Sequence, residues 1–444
     1  MKQNTKTNSL SVFSAAVLFF CTAGNAIAQP TMRLSLNEAI SLSLQNSGKL
    51  KIAGARVEEA IAASQEAKNN RLPDLKATAS YLQLNSPSVD LRVKLNSGSG
   101  SEGSMKVDHL MYGMLNASMP LFSGFRIKYG IESAKYLEQA AKLDAEKDKE
   151  EVIQNTIGAY SNLYKAKKSV ELVKENLARE EQRVKDFTNL ERNGLMARND
   201  LLKAQLQQSN IELTLLEAEN NLKITNINMA LLLGLPESTD LLPDSAGMEP
   251  SADAGTITKW EETALSQRKD RAALAAKVNA TATSIKAIKG EYYPGVALTG
   301  GYVGVNIPNL LTVTNALNVG MGMQYNLGSI WKTGAKLDAA KARLHQIQAT
   351  EGILTDQVRL EVNNAYQQYL LSLKKIAVYQ KSVEQSNENY RITRNKYDNN
   401  LVTTTELLDA DVAQLQAKLN YAFSKADAVV AYKKLQQVAG VLQQ

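Results

Sequence analysis

The stretch Tyr397–Leu415, YDNNLVTTTELLDADVAQL, decides how the chain is read. Helix-favouring sequence runs up to it, a few turn-forming and β-branched residues interrupt, and helix-favouring sequence resumes. Glu406 and Asp409 stand just past the break, and their i,i+3 spacing puts both carboxylates on one helix face. Nearly the same phrase, ERNGLMARNDLLKAQL, occupies Glu191–Leu206.

Internal repetition is therefore the first thing to test. Leu195 matches Leu401, a shift of 206, and at that shift Asp200 meets Glu406 and Leu201-Leu202 meet Leu407-Leu408. Ala204 meets Ala410, Ala159-Tyr160 meet Ala365-Tyr366, Ala134-Lys135 meet Ala340-Lys341, and Leu121 meets Leu327. Upstream the shift becomes 221, pairing Pro73 with Pro294 and Leu44 with Leu265. The difference of 15 residues is an insertion in the first copy, expected in the Gly/Ser-rich NSGSGSEGS, Asn96–Ser104.

Each copy reads helix, two strands, long helix, turn, helix. In the long helix Leu163, Ala166, Val170, Val173, Leu177, Val184 and Phe187 step by threes and fours. A sustained repeat near 3.5 residues makes helices that wind around partners. From Ile127 to Leu190, at ~1.5 Å per residue, the rod would be about 95 Å long. The strands alternate instead. One face carries Leu317, Val319, Met321, Met323, Tyr325 and Leu327, and the other Asn318, Gly320, Gly322, Gln324 and Asn326. The matching strand of the first copy puts Met111, Gly113, Leu115, Ala117, Met119 and Leu121 on its apolar face. Such alternation fits a soluble sandwich as well as a membrane barrel. Strand length favours the barrel, because ~9–11 residues cross a bilayer when tilted. So do the aromatics Phe122, Phe125, Tyr292, Tyr293 and Trp331 at the strand–helix joints, placed like an interfacial girdle. Four strands cannot close alone, since the smallest bacterial barrels have about 8 and an open edge in lipid is costly. A membrane sheet here requires several chains.

The expected division is a secretory leader over 1–28, a first repeat over 29–237, a linker over 238–257 and a second repeat over 258–444. Strands are expected at about 74–84, 109–121, 295–305 and 315–328, and helical hairpins at about 126–233 and 332–440. The leader follows from Lys2 and Lys6, the apolar run SVFSAAVLFF and the small residues Ala26 and Ala28 before Gln29. The single cysteine, Cys21, lies in it with a poor lipidation context, so neither disulfides nor thiolate metal sites are expected afterwards. The formal charge of +6 falls to +4 without the leader, with both signs interspersed and no nucleic-acid patch. His109 and His345 stand apart in sequence with no clustered ligands, and no Ser-His-Asp order, phosphate loop or HExxH motif is present. Neither a cofactor nor an enzyme activity is expected.

LSLNEAISLSLQNS, RLPDLKATASY, SMPLFSGFRIKYGIESAK, AYSNLYKAKKSVELVKENL, RNGLMARNDLLKAQ and NNLVTTTELLDA together resemble the TolC-type outer-membrane efflux ducts. The likeness covers essentially the whole chain after the leader. It implies a mainly α protein with a membrane β-barrel: a homotrimer whose four strands per chain give a 12-stranded barrel, continued by a long periplasmic α-helical barrel. It implies a passive exit duct in the outer membrane of a Gram-negative bacterium, joined through a periplasmic adaptor to an inner-membrane pump. By position, Glu406 and Asp409 match the aperture acids, which in three chains make two stacked carboxylate rings. Read without the family they are solvated helix-surface acids. Asp200 and Tyr397 match a closed-state hydrogen-bonded pair, and Gly194, Leu195, Asn400 and Leu401 match the adaptor-docking tips, though all four also suit plain turns. The family arginine after the second tip is absent, with Val402 in its place, and Arg198 is the candidate replacement. Small molecules or drugs are the expected cargo, with protein secretion the alternative within the family. A periplasmic coiled-coil adaptor is the rival from another class.

Overall fold

The computed structural model describes residues 31–85, 87, 107–249, 254–308 and 310–442; the expected leader and the insertion at 96–104 lie outside them. The first copy contains β1 (Thr31–Leu34), α1 (Leu36–Asn46), α2 (Gly48–Asn69), β2 (Asp74–Gln83), β3 (His109–Phe122), α3 (Arg126–Arg192) and α4 (Arg198–Leu233). After β4 (Asp240–Pro243), the second copy contains α5 (Ile257–Gln267), α6 (Lys269–Lys289), β5 (Gly295–Ile307), β6 (Leu311–Gln324), α7 (Ser329–Asp398) and α8 (Thr404–Val438). The starts of α1, α2 and β2 recur 221 positions on, and the start of α4 recurs 206 positions on, so the repeat is one of structure.

β2, β3, β5 and β6 form one antiparallel sheet in that order. Residues paired across antiparallel strands share a face. Registers Leu75↔Ala117, Ala117↔Gly300 and Gly300↔Val319 therefore define one face, and Leu115↔Tyr302↔Leu317 and Met119↔Leu298↔Met321 fall on it. That face carries no charged side chain, and its Leu317, Val319, Met321 and Met323 are 71–77% exposed. The opposite face carries Lys76, Thr78, Asn116, Ser118, Thr299 and Asn318. β2 and β6 are both edge strands. The strands run 10 to 14 residues, enough to cross a bilayer. No helix among the described residues is long and apolar enough to do so.

β6 begins four residues before the expected start and stops at Gln324, so Tyr325, Asn326 and Leu327 lie beyond it despite their alternation. Asn326 overrides the pattern: its side chain accepts from Gly328 N at 3.0 Å and its carbonyl from Ser329 N at 2.9 Å. This local turn launches α7 at Ser329, ahead of the expected 332. The single helices expected before the strands are each broken, at Ser47 and at Arg268. The linker also holds more order than expected, since β4 pairs in parallel with β1.

The rods α3 and α7, of 67 and 70 residues, extend about 100 Å each. α3 packs against α4, α2, α6 and α8, and α7 against α8 and α6. The main core lies around the middle of α3, where Ile157, Tyr160 and Leu163 meet Leu34, Met229, Leu233 and Leu241. Each such side chain contributes about 1.5–3 kcal/mol by leaving water. A second core joins Val358, Val362 and Tyr369 of α7 to Ala264, Leu435 and Val438.

Candidate functional site at the helix tips

Both hairpins turn by the same device. After α3, Gly194 N donates to Glu191 O and Leu195 N to Leu190 O, both at 2.9 Å; after α7, Asn400 N donates to Tyr397 O at 2.9 Å and Leu401 N to Lys396 O at 2.8 Å. These are paired Schellman closures, which need a left-handed residue. Gly194 has φ +74°, and Asn400 adopts φ +60°, one of the few side-chain-bearing residues here to do so. Leu195 and Leu401 are left 75% and 72% exposed, so each tip presents one bare leucine.

α8 starts on Thr403, whose Oγ1 accepts from Glu406 N at 3.3 Å and donates to the Glu406 carboxylate at 3.2 Å. Glu406 therefore helps cap its own helix, a role that sequence position alone did not reveal. Thr403→Ala is expected to loosen the first turn of α8 by about 1 kcal/mol, visible as faster amide exchange there. Glu406 and Asp409 are both exposed, whereas Leu407, Leu408 and Ala410 between and beside them are buried. The two carboxylates thus occupy a helix face that the chain itself leaves open.

Within the chain the tips are pinned together by Phe187 and Tyr397, stacked at 5.7 Å over Leu201 and Ala204. The Tyr397 hydroxyl lies 3.4 Å from Thr404 Oγ1, and the Asp200 carboxylate is 3.4 Å from Lys203 Nζ. The expected Asp200–Tyr397 hydrogen bond is not among those of the described residues. Asp200 is still near enough that burial first, and then its charge, raise the Tyr397 phenol. Arg198 is 64% exposed and reaches Glu191 at 3.6 Å, on its own hairpin. Among the described residues it makes no ion pair with the second tip, where Val402 stands in the place of the family arginine.

Sequence reading missed a buried polar cluster about two to three turns above the tips. Arg183 donates to the Glu180 carboxylate and, at 3.0 Å, to the Tyr390 hydroxyl of α7. Its guanidinium lies 3.7 Å from Asp411 of α8, which also accepts from Asn176 at 2.6 Å. Glu180 is fully buried and Asp411 is 1% exposed. Burial first, and then Asp411, push the Glu180 carboxyl up to about 7, against the pull of Arg183.

The chain matches the family model for outer membrane efflux proteins over residues 39–235 and 260–441. It is 22% identical over 366 residues to the outer membrane efflux protein BepC of Brucella suis, covering 80% of this chain and 74% of that one. It is 23% identical over 343 residues to the alkaline protease secretion protein AprF of Pseudomonas aeruginosa, covering 74% and 69%. The solved structure of the outer membrane protein VceC from Vibrio cholerae superposes with a TM-score of 0.74 at 19% identity, over 91% of this chain and 96% of that one. With one face of the sheet free of charged side chains and the paired helical hairpins, these matches make the chain a member of the outer membrane efflux protein family, an outer-membrane exit duct and not an enzyme.

Proposed function

We propose that three copies close a 12-stranded barrel and a helical conduit, and that the conduit is gated at the tips by rings of Glu406 and Asp409. The carrying observation is the exposed carboxylate pair at the start of α8, on a helix face that no other element among the described residues covers. The open edges of β2 and β6 support assembly, because lipid tolerates no unpaired strand edge. So do Leu206, Leu213 and Leu216 on α4 and Ile353, Leu360 and Val378 on α7, all exposed along the flanks of the helical layer. Three-fold stacking of carboxylates favours cations and disfavours anions at the constriction. Tyr397, stacked on Phe187 with Asp200 nearby, holds the two tips of each chain together, and the bare Leu195 and Leu401 beside Gly194 and Asn400 are the contacts offered to a periplasmic adaptor. Energy then comes from an inner-membrane pump, and small molecules or drugs are the cargo. The name of AprF supports protein secretion as the second reading.

Single-channel recording tests the gate. The wild type is expected to give small, cation-selective currents, and Glu406→Ala/Asp409→Ala to give larger currents with selectivity lost. Unchanged currents in the double variant would move the constriction elsewhere. Loss of drug tolerance on deletion of the chain, with the secreted proteins unaffected, is the result expected for small-molecule cargo; the reverse would favour secretion.

A further inference from the structure

We propose that Arg183, with Glu180 and Asp411, is the latch that holds the second hairpin against the first above the tips, and that a proton shared by the two carboxyls sets its strength. This rests on the reading of the tips as the gate.

Among the described residues the cluster is the one place near the tips where buried charge joins the hairpins. Glu180 and Arg183 belong to α3, Asp411 to α8 and Tyr390 to α7, so any movement of the second hairpin away from α3 breaks the set. Arg183 here performs the bridging that Arg198, paired with Glu191 on its own hairpin, does not. The facing groups from each element are Arg179 and Glu175 on α3, Lys418 on α8 and Tyr390 on α7. α4 lays the apolar Ile211 and Leu215 alongside, against Val173 and Leu415.

The hydrogen-bond ledger favours a proton here, with Arg179 Nε, 3.8 Å from Asp411 Oδ1, another unsatisfied group beside it. Glu180 Oε2 and Asp411 Oδ1 are both buried and both lack a donor among the described residues, although the two carboxyls are within hydrogen-bonding reach. Two ionised carboxylates cannot satisfy one another, whereas a carboxyl O–H from Glu180 to Asp411 satisfies both. Arg183, with Arg179 3.8 Å from Asp411, then faces the one remaining negative charge. Breaking such a buried pair by removing a partner is costly, which suits a latch.

The direction of the pH effect follows. With the hairpins joined as they are here Glu180 holds its proton up to about 7, and on their separation into water it returns towards the ordinary value of 4.5. The joined arrangement, which the latch would hold closed, therefore binds the proton more tightly. Its advantage is complete below the ordinary value and is lost as pH rises through about 7. Between those limits the open-to-closed ratio can rise at most about tenfold per pH unit for one proton.

The test uses the full-length protein in planar bilayers from pH 5 to 8, beside Glu180→Gln. The glutamine is isosteric and keeps a donor towards Asp411 at every pH. The wild type is expected to open more frequently as pH rises, and Glu180→Gln to stay closed with a flat profile. Infrared spectra supply a readout independent of conduction: a protonated-carboxyl band persisting near pH 6 in the wild type, lost in Glu180→Gln and retained in Glu406→Ala/Asp409→Ala. A wild-type pH profile in Glu180→Gln, or no such band, overturns the latch. The band without any channels would instead sink the duct reading and leave the shared proton standing.

Discussion

Gly124→Val is expected to abolish folded protein in the outer membrane. Gly124 has φ +63° at the joint where β3 becomes α3, a conformation that a β-branched residue tolerates poorly. Space is the larger problem. A Cβ there would lie 2.2 Å from Gly290 O and 3.0 Å from Tyr293 Cβ. The crowding is mutual, because a Cβ on Gly290 would lie 2.3 Å from Gly124 O. Two backbones cross in near contact here, and neither can retreat without disturbing a strand or a 100 Å rod. Strain and clash together should cost on the order of 4 kcal/mol or more, the range reached only by a few named mechanisms. The measurement is the yield of heat-resistant oligomer in outer-membrane fractions. Gly113→Ala, in the same sheet with nothing within 4 Å of its Cβ, is the control and should retain wild-type yield.

Tyr160→Ala should be nearly as damaging, for a different reason. The ring is fully buried at the centre of the main core, and its hydroxyl staples α3 to both short strands. It accepts from Asp244 N at 2.8 Å and faces Leu34 O at 2.8 Å and Asp244 O at 3.0 Å, to one of which it donates. Truncation leaves a cavity as well as lost bonds, about 3–5 kcal/mol. Tyr160→Phe keeps the packing and loses only the hydroxyl contacts, about 1–2 kcal/mol. Thermal unfolding of the purified oligomer should rank wild type above Phe above Ala. Burial, the largest influence, pushes the phenol up to about 12, so it stays protonated and the ranking should not change between pH 5 and 9.

These two sites mark the boundary of what the sequence discloses. The repeat was legible because an ungapped shift carries identity, period and length together. Gly194 and Asn400 fall at equivalent turns for that reason, and both are left-handed. Strand faces were legible from alternation, but the end of β6 was not, since Asn326 closes a turn while the alternation continues through Leu327. The β1–β4 pair was invisible: four-residue strands carry too little alternation, and their partners lie more than two hundred residues apart. The contact between Gly124 and Gly290 is likewise a matter of two distant backbones meeting.

The Arg183 cluster did leave a trace. In the apolar stripe of α3, Leu177 is followed three positions on by Glu180 and then, four further, by Val184. In α8, Asp411 falls at the same kind of step between Leu408 and Leu415. A carboxylate on a core step in each of two helices is a buried polar contact in outline, but the pattern cannot say that Arg183, off both steps, is the cation they share. Glu406 shows the reverse case, where position suggested a pore ring and the structure adds a helix cap.

The most direct test of the gated duct is a thiol at the constriction. In a Cys21→Ser background, Asp409→Cys should place three thiols around the axis, a soft site that binds cadmium. Single-channel current through Asp409→Cys is expected to collapse on adding cadmium and to recover with a chelator, while Leu195→Cys at the outer tip continues to conduct. Conduction through Asp409→Cys that cadmium leaves untouched would contradict the account, because Asp409 would then not face the pore.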